Sequence, residues 1–349
     1  MSAGHETSQA ALALRLLLGD ARESSAAAAG IEWDEMLRAA RRNFVLVRLS
    51  ARLRELGLLT PTRFEKAAAD ERRRAELMFG VIRQVSRACE KRGVAHIFAK
   101  SFQHYPDMGS DIDLFVASRS PAVDEIILDG TPAAAVGRDL RSRMSGVAAY
   151  RVGNGGEFVL EIHRGRIGFI GEQGALINQF IGNGGRAEVG GSEFLLPSTE
   201  DLLILHGMQR VYRHGFIRLC DVLSTTSLVN RSDLNWDYVF RTSARLGTLY
   251  GLRSYMTYLG QIHREILRRE LLPPELKKML AAGSCGRGKF RSGVFVFPRA
   301  RVASRIYLGK VRAALRARNW DGVSRLSLMP FVAAATLTRK LAPRASTSQ

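Results

Sequence analysis

Residues 110–116, Ser-Asp-Ile-Asp-Leu-Phe-Val, constrain the fold more than any other stretch of this chain. Their alternation of polar and apolar residues is typical of a β-strand, in which successive side chains point to opposite faces. The aliphatic residues are expected to face the core, whereas the carboxylates of Asp111 and Asp113 share the opposite face. Two carboxylates side by side on a rigid element can hold Mg²⁺ against the phosphates of a nucleotide. An acidic strand edge or a solvated turn gives the same pattern, and that alternative stays open.

Two flanking segments add further polar residues. Residues 96–101 (His-Ile-Phe-Ala-Lys-Ser) form a short apolar run that ends in a small residue and a cation, and residues 102–109 read as a turn or loop. Residues 157–163 (Glu-Phe-Val-Leu-Glu-Ile-His) alternate again, so Glu161 and His163 are predicted to share one face of a second strand. A third carboxylate on an adjacent strand completes the acidic set that two-metal phosphoryl transfer requires.

This arrangement resembles the nucleotidyltransferase superfamily of the polymerase-β type, whose signature is a small-residue turn, a short spacer and D-x-D. More narrowly, the chain is similar to a bacterial family of uncharacterised nucleotidyltransferases over roughly residues 30–280. The motifs that carry the resemblance are residues 99–101 (Ala-Lys-Ser), 105–106 (Tyr-Pro), 111–116 (Asp-Ile-Asp-Leu-Phe-Val), 161–163 (Glu-Ile-His), 196–203 (Leu-Pro-Ser-Thr-Glu-Asp-Leu-Leu), 218–222 (Arg-Leu-Cys-Asp-Val) and 234–237 (Leu-Asn-Trp-Asp).

The resemblance implies an enzyme that depends on Mg²⁺ or Mn²⁺. Such an enzyme transfers a nucleoside monophosphate from an NTP to the hydroxyl group of a small molecule, sugar or protein, and releases pyrophosphate. The resemblance implies that the catalytic and metal-binding residues are Asp111, Asp113 and Glu161. It implies that the nucleotide-binding residues are Lys100, Ser101, His163, Arg218 and Asp221.

Structural alternatives exist for most of these nucleotide-binding candidates. Lys100 is either a point charge for a triphosphate or a surface lysine at the end of a strand. His163 either moves a proton or orients the acceptor, or else it makes a structural hydrogen bond. Arg218 and Asp221, three residues apart, either act at the cleft or form an ion pair within one helix.

Two departures from the family pattern define a rival function. The family has glycine where this chain has Ser101, and glycine is what lets a backbone approach phosphates closely. The arginine that the family carries shortly before D-x-D is absent. The alternative is therefore a catalytically inactive binding module that keeps the fold and docks on an anionic membrane or nucleic acid. A third option is a toxin that modifies tRNA or protein.

The charge of the chain is concentrated near its end. The formal net charge is +19, and residues 284–349 hold fourteen Lys or Arg against the single acidic residue Asp321. Such a region is suited to contact with an anionic membrane surface or with nucleic acid. A solvated face in an arginine-rich chain is the alternative. The pattern predicts a basic amphipathic helix with the cations Arg305, Lys310, Arg312 and Arg316. The apolar stretch 329–335 favours the membrane surface as the partner.

Cysteine usage and hydropathy indicate a cytoplasmic protein. Cys89, Cys220 and Cys285 are odd in number and unclustered, which argues against a disulfide framework and against a zinc site. Residues 1–7 lack the basic region of a secretory signal, and no segment reaches the apolar length needed to cross a bilayer. Peripheral association with the inner membrane surface is left open by the basic C-terminal region.

Together these patterns predict an α+β fold: a small mixed β-sheet core with a helical lead-in and a C-terminal helical domain. We divide the chain into an N-terminal helical segment (1–93), a nucleotidyltransferase core (94–196), a helical domain (197–283) and a basic C-terminal extension (284–349). Residues 126–131 suggest a strand followed by a turn, and residues 283–293 suggest a glycine- and arginine-rich hinge.

Overall fold

The computed structural model describes residues 3–341 except positions 110, 138, 154 and 281–285. Cys285 and the last eight residues of the predicted C-terminal extension, 342–349, therefore lie outside the described residues. The helices are α1 (Ala3–Leu18), α2 (Ala21–Ala28), α3 (Trp33–Arg42), α4 (Leu46–Glu55), α5 (Thr62–Lys91), α6 (Val123–Ile127), α7 (Leu140–Ser145), α8 (Leu176–Asn183), α9 (Thr199–Gln209), a π-helix (Arg210–His214), α10 (Leu219–Val229), α11 (Trp236–Arg245), α12 (Leu249–Leu267), α13 (Pro274–Leu280), α14 (Arg299–Arg316) and α15 (Trp320–Leu341). The strands are β1 (His96–Phe98), β2 (Asp111–Val116), β3 (Ala133–Ala135), β4 (Val147–Val152), β5 (Phe158–Arg164), β6 (Gly185–Val189), β7 (Ser192–Leu196), β8 (Phe216–Ile217), β9 (Lys289–Arg291) and β10 (Val294–Val296).

A five-stranded sheet in the order β1-β2-β5-β4-β3 forms the centre of the fold. Strands β2 and β5 are parallel, whereas the other three pairings in this sheet are antiparallel. The parallel register sets Asp113 opposite Glu161 and Leu114 opposite Ile162. A small mixed sheet flanked by N-terminal and C-terminal helices confirms the predicted α+β class.

Apolar packing covers both faces of this sheet. Ile112, Leu114 and Val116 are fully buried in a core that also contains one face of α5, as the alternation predicted. Phe115, on the opposite face, is fully buried in a second core built largely from helices. The face that carries the carboxylates is therefore packed at its far end and open only near Asp111.

The second core joins distant parts of the sequence. It contains Leu14 of α1, Phe115 of β2, Leu203 of α9 and Ile306 of α14, so each of the four predicted segments contributes to it. The boundaries at 93, 196 and 283 stay a prediction. Ser198 caps the start of α9, because its hydroxyl accepts a hydrogen bond from the backbone nitrogen of Asp201 at 3.2 Å.

Two local predictions are wrong. Residues 126–127 end the short helix α6 rather than forming a strand, because the apolar side chain of Ile127 packs against α5 from a helical turn. In the predicted hinge, residues 289–291 form β9, which pairs with β10, and β10 in turn pairs with β8. Short apolar runs beside glycine do not distinguish a strand from a helix or a hinge.

The basic helix predicted near the C-terminus exists as α14, but it is packed into the fold. Its Lys310 is 2% exposed, and the Lys310 Nζ contacts Glu172 Oε1 at 2.5 Å. Lys310 is therefore not part of the exposed cationic face. The backbones of Gly247 and Gly309 approach so closely that a Cβ atom on Gly247 would lie 2.4 Å from the Gly309 carbonyl oxygen. None of the described helices combines the length and the hydropathy that a membrane-spanning helix requires.

We predict that Lys310→Met lowers the free energy of unfolding by about 3–5 kcal/mol, because it leaves the Glu172 carboxylate buried without its cation. The measurement is urea unfolding followed by circular dichroism. Arg312→Met removes an exposed cation of the same helix and should change stability by no more than about 0.5 kcal/mol. Equal losses in the two variants would contradict a role for the buried pair.

Candidate active site

Three potential metal ligands meet where β2 and β5 run side by side. Asp113, Glu161 and His163 each offer a ligand atom, and these atoms lie within 4.8 Å of one another. His163 Nε2 lies 3.1 Å from Asp113 Oδ1 and 3.6 Å from Glu161 Oε2. The His163 ring stacks on Phe115 with ring centroids 4.4 Å apart, which fixes the orientation of the imidazole. The parallel pairing of two strands thus brings together residues that are distant in sequence.

Asp111 lies at the exposed start of β2 and does not belong to that group of three. It lines the same cavity of about 240 Å³ as Asp113 and Glu161. The cavity also contains Lys100, Ser101 and a further wall of polar and cationic side chains from the helical part of the chain. The three carboxylates are therefore gathered in one cleft, but Asp111 sits nearer to solvent.

Lys100 follows β1 and is turned towards the carboxylates. Its Nζ contacts Asp113 Oδ1 and lies 5.4 Å from the centroid of the Phe115 ring. Its side chain is only 14% exposed, so Lys100 is not a surface lysine. Burial by itself raises the pKa of Asp113, but Lys100 and the contact with His163 outweigh burial and hold that pKa well below the usual range of a carboxyl.

Ser101 has a structural partner. Its Oγ accepts a hydrogen bond from the backbone nitrogen of Asp113 at 3.0 Å, and the residue is 7% exposed. The hydroxyl group thus fixes the turn after β1 to the strand that carries the carboxylates. Ser101 also lines the cavity, where its O–H group can donate to a bound phosphate.

The donor set of this cleft fits a divalent cation. Carboxylate oxygens are the preferred ligands of both Mg²⁺ and Mn²⁺, and Asp113 and Glu161 offer them within 4.8 Å of each other. Asp111 offers further oxygen atoms from the same cavity. Asp113 is buried and its pKa is lowered, so its carboxylate is available as an oxygen ligand in the charged form.

Arg218 and Asp221 do not form the side-chain ion pair that their spacing allowed. Arg218 is the residue just before α10, and its backbone nitrogen donates to Asp221 Oδ2 at 2.9 Å. The other oxygen of Asp221 pairs with Arg210 Nε at 2.8 Å. Asp221 is 1% exposed and does not line the cavity, whereas both arginines do. Asp221 therefore positions Arg210 from behind the cavity wall.

Two aromatic rings hold the Arg218 guanidinium at the cavity wall. Its Cζ lies 4.4 Å from the ring centroid of Phe44 and 5.2 Å from that of Phe216. Arg218 Nε is buried and has no hydrogen-bond partner among the described residues. Phe44 also lines the cavity, and its φ of +52° is strained for a bulky residue.

Asn43 stabilises the strained loop. Its Oδ1 accepts from the backbone nitrogen of Leu219 at 3.0 Å, and its Nδ2 donates to the carbonyl oxygen of Gly293 at 2.9 Å. A fully buried amide thus connects the end of α3, the start of α10 and the turn between β9 and β10. The cationic wall of the cavity is built from three regions of the chain.

Sequence reasoning missed Arg210, Phe44 and His104, all of which line the cavity. No short motif surrounds them: Arg210 begins a π-helix, which is a rare element that often occurs at functional sites. His104 belongs to the loop after Ser101, and its Nδ1 lies 3.0 Å from Ser224 Oγ of α10. Arg210 and Phe44 are held at the cavity by contacts with Asp221 and Arg218 at the start of α10, which no local sequence pattern predicts.

A second group of possible ligands, His104, Cys220 and Asp221, does not fit a metal ion. All three residues are buried, and the guanidinium of Arg210 already pairs with Asp221. Burial raises the pKa of the Cys220 thiol, so sulfur is held in its neutral form. A cation inside the group and a protonated thiol both oppose binding of a metal ion.

The sequence profile described as "Uncharacterised nucleotidyltransferase" matches residues 29–262, and the chain belongs to this family. Membership supports a general nucleotidyltransfer function. No curated protein matches the chain.

We predict that Ser101→Ala lowers the free energy of unfolding by about 1–3 kcal/mol without any nucleotide, because the buried backbone nitrogen of Asp113 loses its acceptor. Urea unfolding measures the change. Ser120→Ala is the matched control, since the Ser120 Oγ also accepts from a backbone nitrogen but is exposed to water. An unchanged stability in Ser101→Ala would show that the hydroxyl has no structural role.

Proposed function

We propose that this protein transfers a nucleoside monophosphate from an NTP to a hydroxyl group of an acceptor and releases pyrophosphate, with Mg²⁺ or Mn²⁺ as cofactor. The observation that carries the proposal is the convergence of Asp113, Glu161 and His163 in one cleft, with Asp111 at its rim. Cationic side chains form the facing wall, which suits an anionic substrate.

Asp111 and Asp113 would hold the metal ion, and Glu161 would either complete its ligand set or act as the general base. A bound divalent cation neutralises phosphate charge and lowers the pKa of an attacking hydroxyl group. As the base, Glu161 would accept the proton of the acceptor hydroxyl, and His163 Nε2 lies 3.6 Å from its Oε2. The acceptor oxygen forms a bond to the α-phosphorus, the bond from that phosphorus to the bridging oxygen breaks, and pyrophosphate leaves with the electron pair.

The remaining candidates bind and position the triphosphate. Lys100 lies against Asp113 and can turn its ammonium group to a phosphate oxygen that approaches the same carboxylate. The O–H group of Ser101 donates to the phosphates, while its oxygen holds the turn in place. Arg218 presents its guanidinium from the facing wall, and Asp221 contributes indirectly through Arg210.

We expect Asp113→Asn and Glu161→Gln each to reduce turnover by at least about 100-fold, because each removes a negative charge that the cation or the proton transfer requires. Purified protein is incubated with Mg²⁺ or Mn²⁺ and each of the four labelled NTPs. Pyrophosphate release and label transfer to added alcohols, sugars and proteins are measured.

Glu157→Gln is the matched control, because Glu157 is an exposed carboxylate close to the same strand and does not line the cavity. This variant should retain the activity of the unmodified protein. Equal nucleotide binding and turnover in the unmodified protein and in the Asp113→Asn variant would contradict the catalytic assignment.

A second candidate function is docking on an anionic membrane surface through the hairpin of α14 and α15. Trp320 and Phe331 are 67% and 73% exposed, and Leu328 shares their stripe on α15. Leu308 and Leu315 are exposed on α14, where Arg301, Arg312 and Arg316 are also exposed. Exposed aromatic and aliphatic side chains among cations favour a lipid interface over a nucleic acid, whose binding surfaces are more polar.

We predict that the protein binds vesicles containing phosphatidylserine and that added salt weakens the binding. Trp320→Ser with Phe331→Ser should weaken binding at least about tenfold, since two large apolar side chains no longer enter the interface. Vesicle co-sedimentation measures binding.

Leu59→Ser with Leu77→Ser is the matched control, because both leucines are exposed and lie outside the hairpin. Equal binding by the hairpin variant and the unmodified protein would contradict this docking surface. If calorimetry with MgATP gives no heat while vesicles are bound, the catalytically inactive binding module becomes the better assignment.

A further inference from the structure

A groove with an apolar floor lies between α4 and α5, outside the candidate active site. Its volume is about 660 Å³, within the range of ligand-binding clefts. Ala51 of α4 and Ala75 and Phe79 of α5 contribute to the floor, and Leu223 of α10 also lines the groove. The small side chains of Ala51 and Ala75 leave the space that the groove occupies.

Arginines are distributed along both sides of the groove. Arg72 and Arg83 lie on one stripe of α5 together with Ala75 and Phe79, because these positions repeat at helical spacing. At a rise of about 1.5 Å per residue, Arg72 and Arg83 are about 16 Å apart along the axis. The groove is therefore long and narrow, with a cation near each end of its α5 wall.

The charge of the lining residues is positive. Five arginines and two glutamates line the groove. On the α4 side, Arg48 pairs with Asp107 and Arg52 pairs with Glu55, so these two cations are compensated. Arg72 Nη2 is buried and has no hydrogen-bond partner among the described residues. The Arg72 guanidinium therefore keeps one N–H group that no described residue uses as a donor.

One loop separates the groove from the candidate active site. Tyr105 and Pro106 line the groove, whereas His104 and Gly109 line the cavity with the carboxylates. Asp107 fixes the middle of the loop, since its Oδ1 accepts from the backbone nitrogen of Val47 at 2.6 Å. A molecule in the groove would thus lie directly behind the wall of the active site.

We propose that this groove binds a peptide segment of a partner protein that has an apolar middle and acidic residues towards both ends. The apolar floor receives its aliphatic side chains, and Arg72 and Arg83 pair with its carboxylates. A lipid with one anionic headgroup would need its cations clustered at one end, and the α5 arginines are instead spread along the length. The proposal goes beyond nucleotidyl transfer and does not depend on it, because this binding requires neither nucleotide nor metal.

The test uses a fluorescein-labelled peptide of about twelve residues, long enough to span the groove as a helix, with paired Glu at both ends and Leu and Ala between them. Fluorescence anisotropy with the full chain measures its Kd. We expect saturable binding, and Arg72→Glu with Arg83→Glu should weaken it at least about tenfold. A peptide with Lys in place of Glu should bind this variant more tightly than it binds the unmodified protein.

Arg73→Glu with Arg87→Glu is the matched control, since both arginines are exposed on α5, carry the same charge change and do not line the groove. This control should bind the Glu peptide within about twofold of the unmodified protein. Circular dichroism confirms that each variant is folded. Equal losses in the two double variants, or binding of a Ser-for-Leu peptide with the same Kd, would overturn the proposal. It would also be overturned if anionic vesicles, but not the peptide, required Arg72 and Arg83.

Discussion

The parallel pairing of β2 with β5 is the interaction on which the cleft depends. It sets Asp113 beside Glu161, and two carboxylates so close to each other and to a packed core would repel without compensation. Lys100 and His163 supply that compensation through direct contacts with Asp113. The hydrogen bond from the backbone of Asp113 to Ser101 keeps the compensating lysine on the correct side of the strand. The pairing of β2 with β5, the contact of Lys100 with Asp113 and the turn held by Ser101 therefore depend on one another.

The family profile ends at residue 262, but the fold continues well beyond it. Helix α14 contributes Ile306 to the large core and Lys310 to a fully buried ion pair with Glu172. It also packs beside the π-helix that carries Arg210. The C-terminal region is thus a structural part of the cleft as well as the carrier of most of the excess charge. Its exposed side presents apolar and cationic residues, and its buried side stabilises the wall opposite the carboxylates.

Sequence periodicity predicted the features that depend on residues close together in the chain, such as the strands and the faces on which their side chains lie. The alternation in 111–116 and 157–163 predicted both strands and the faces of their side chains, because the aliphatic face of each strand is packed in a core. The structural partner of Asp221 could not be predicted in the same way. The spacing suggested Arg218, but the backbone begins α10 at that point and turns the Arg218 side chain away, so Arg210 takes the pairing. Likewise, Lys310 follows the pattern of an exposed cation and is buried only because Glu172, from a distant loop, meets it.

The buried amide of Asn43 has a consequence for how the cleft forms during synthesis. It joins the end of α3 to the carbonyl oxygen of Gly293, a partner 250 residues later in the chain. Contacts of such sequence separation form late, since the intervening chain must first emerge from the ribosome and fold. The wall that holds Phe44 and Arg218 is completed only when most of the polypeptide has been translated. In a nascent chain that ends before the β9–β10 turn, the carboxylate side of the cleft would assemble while the cationic wall opposite it was still unformed.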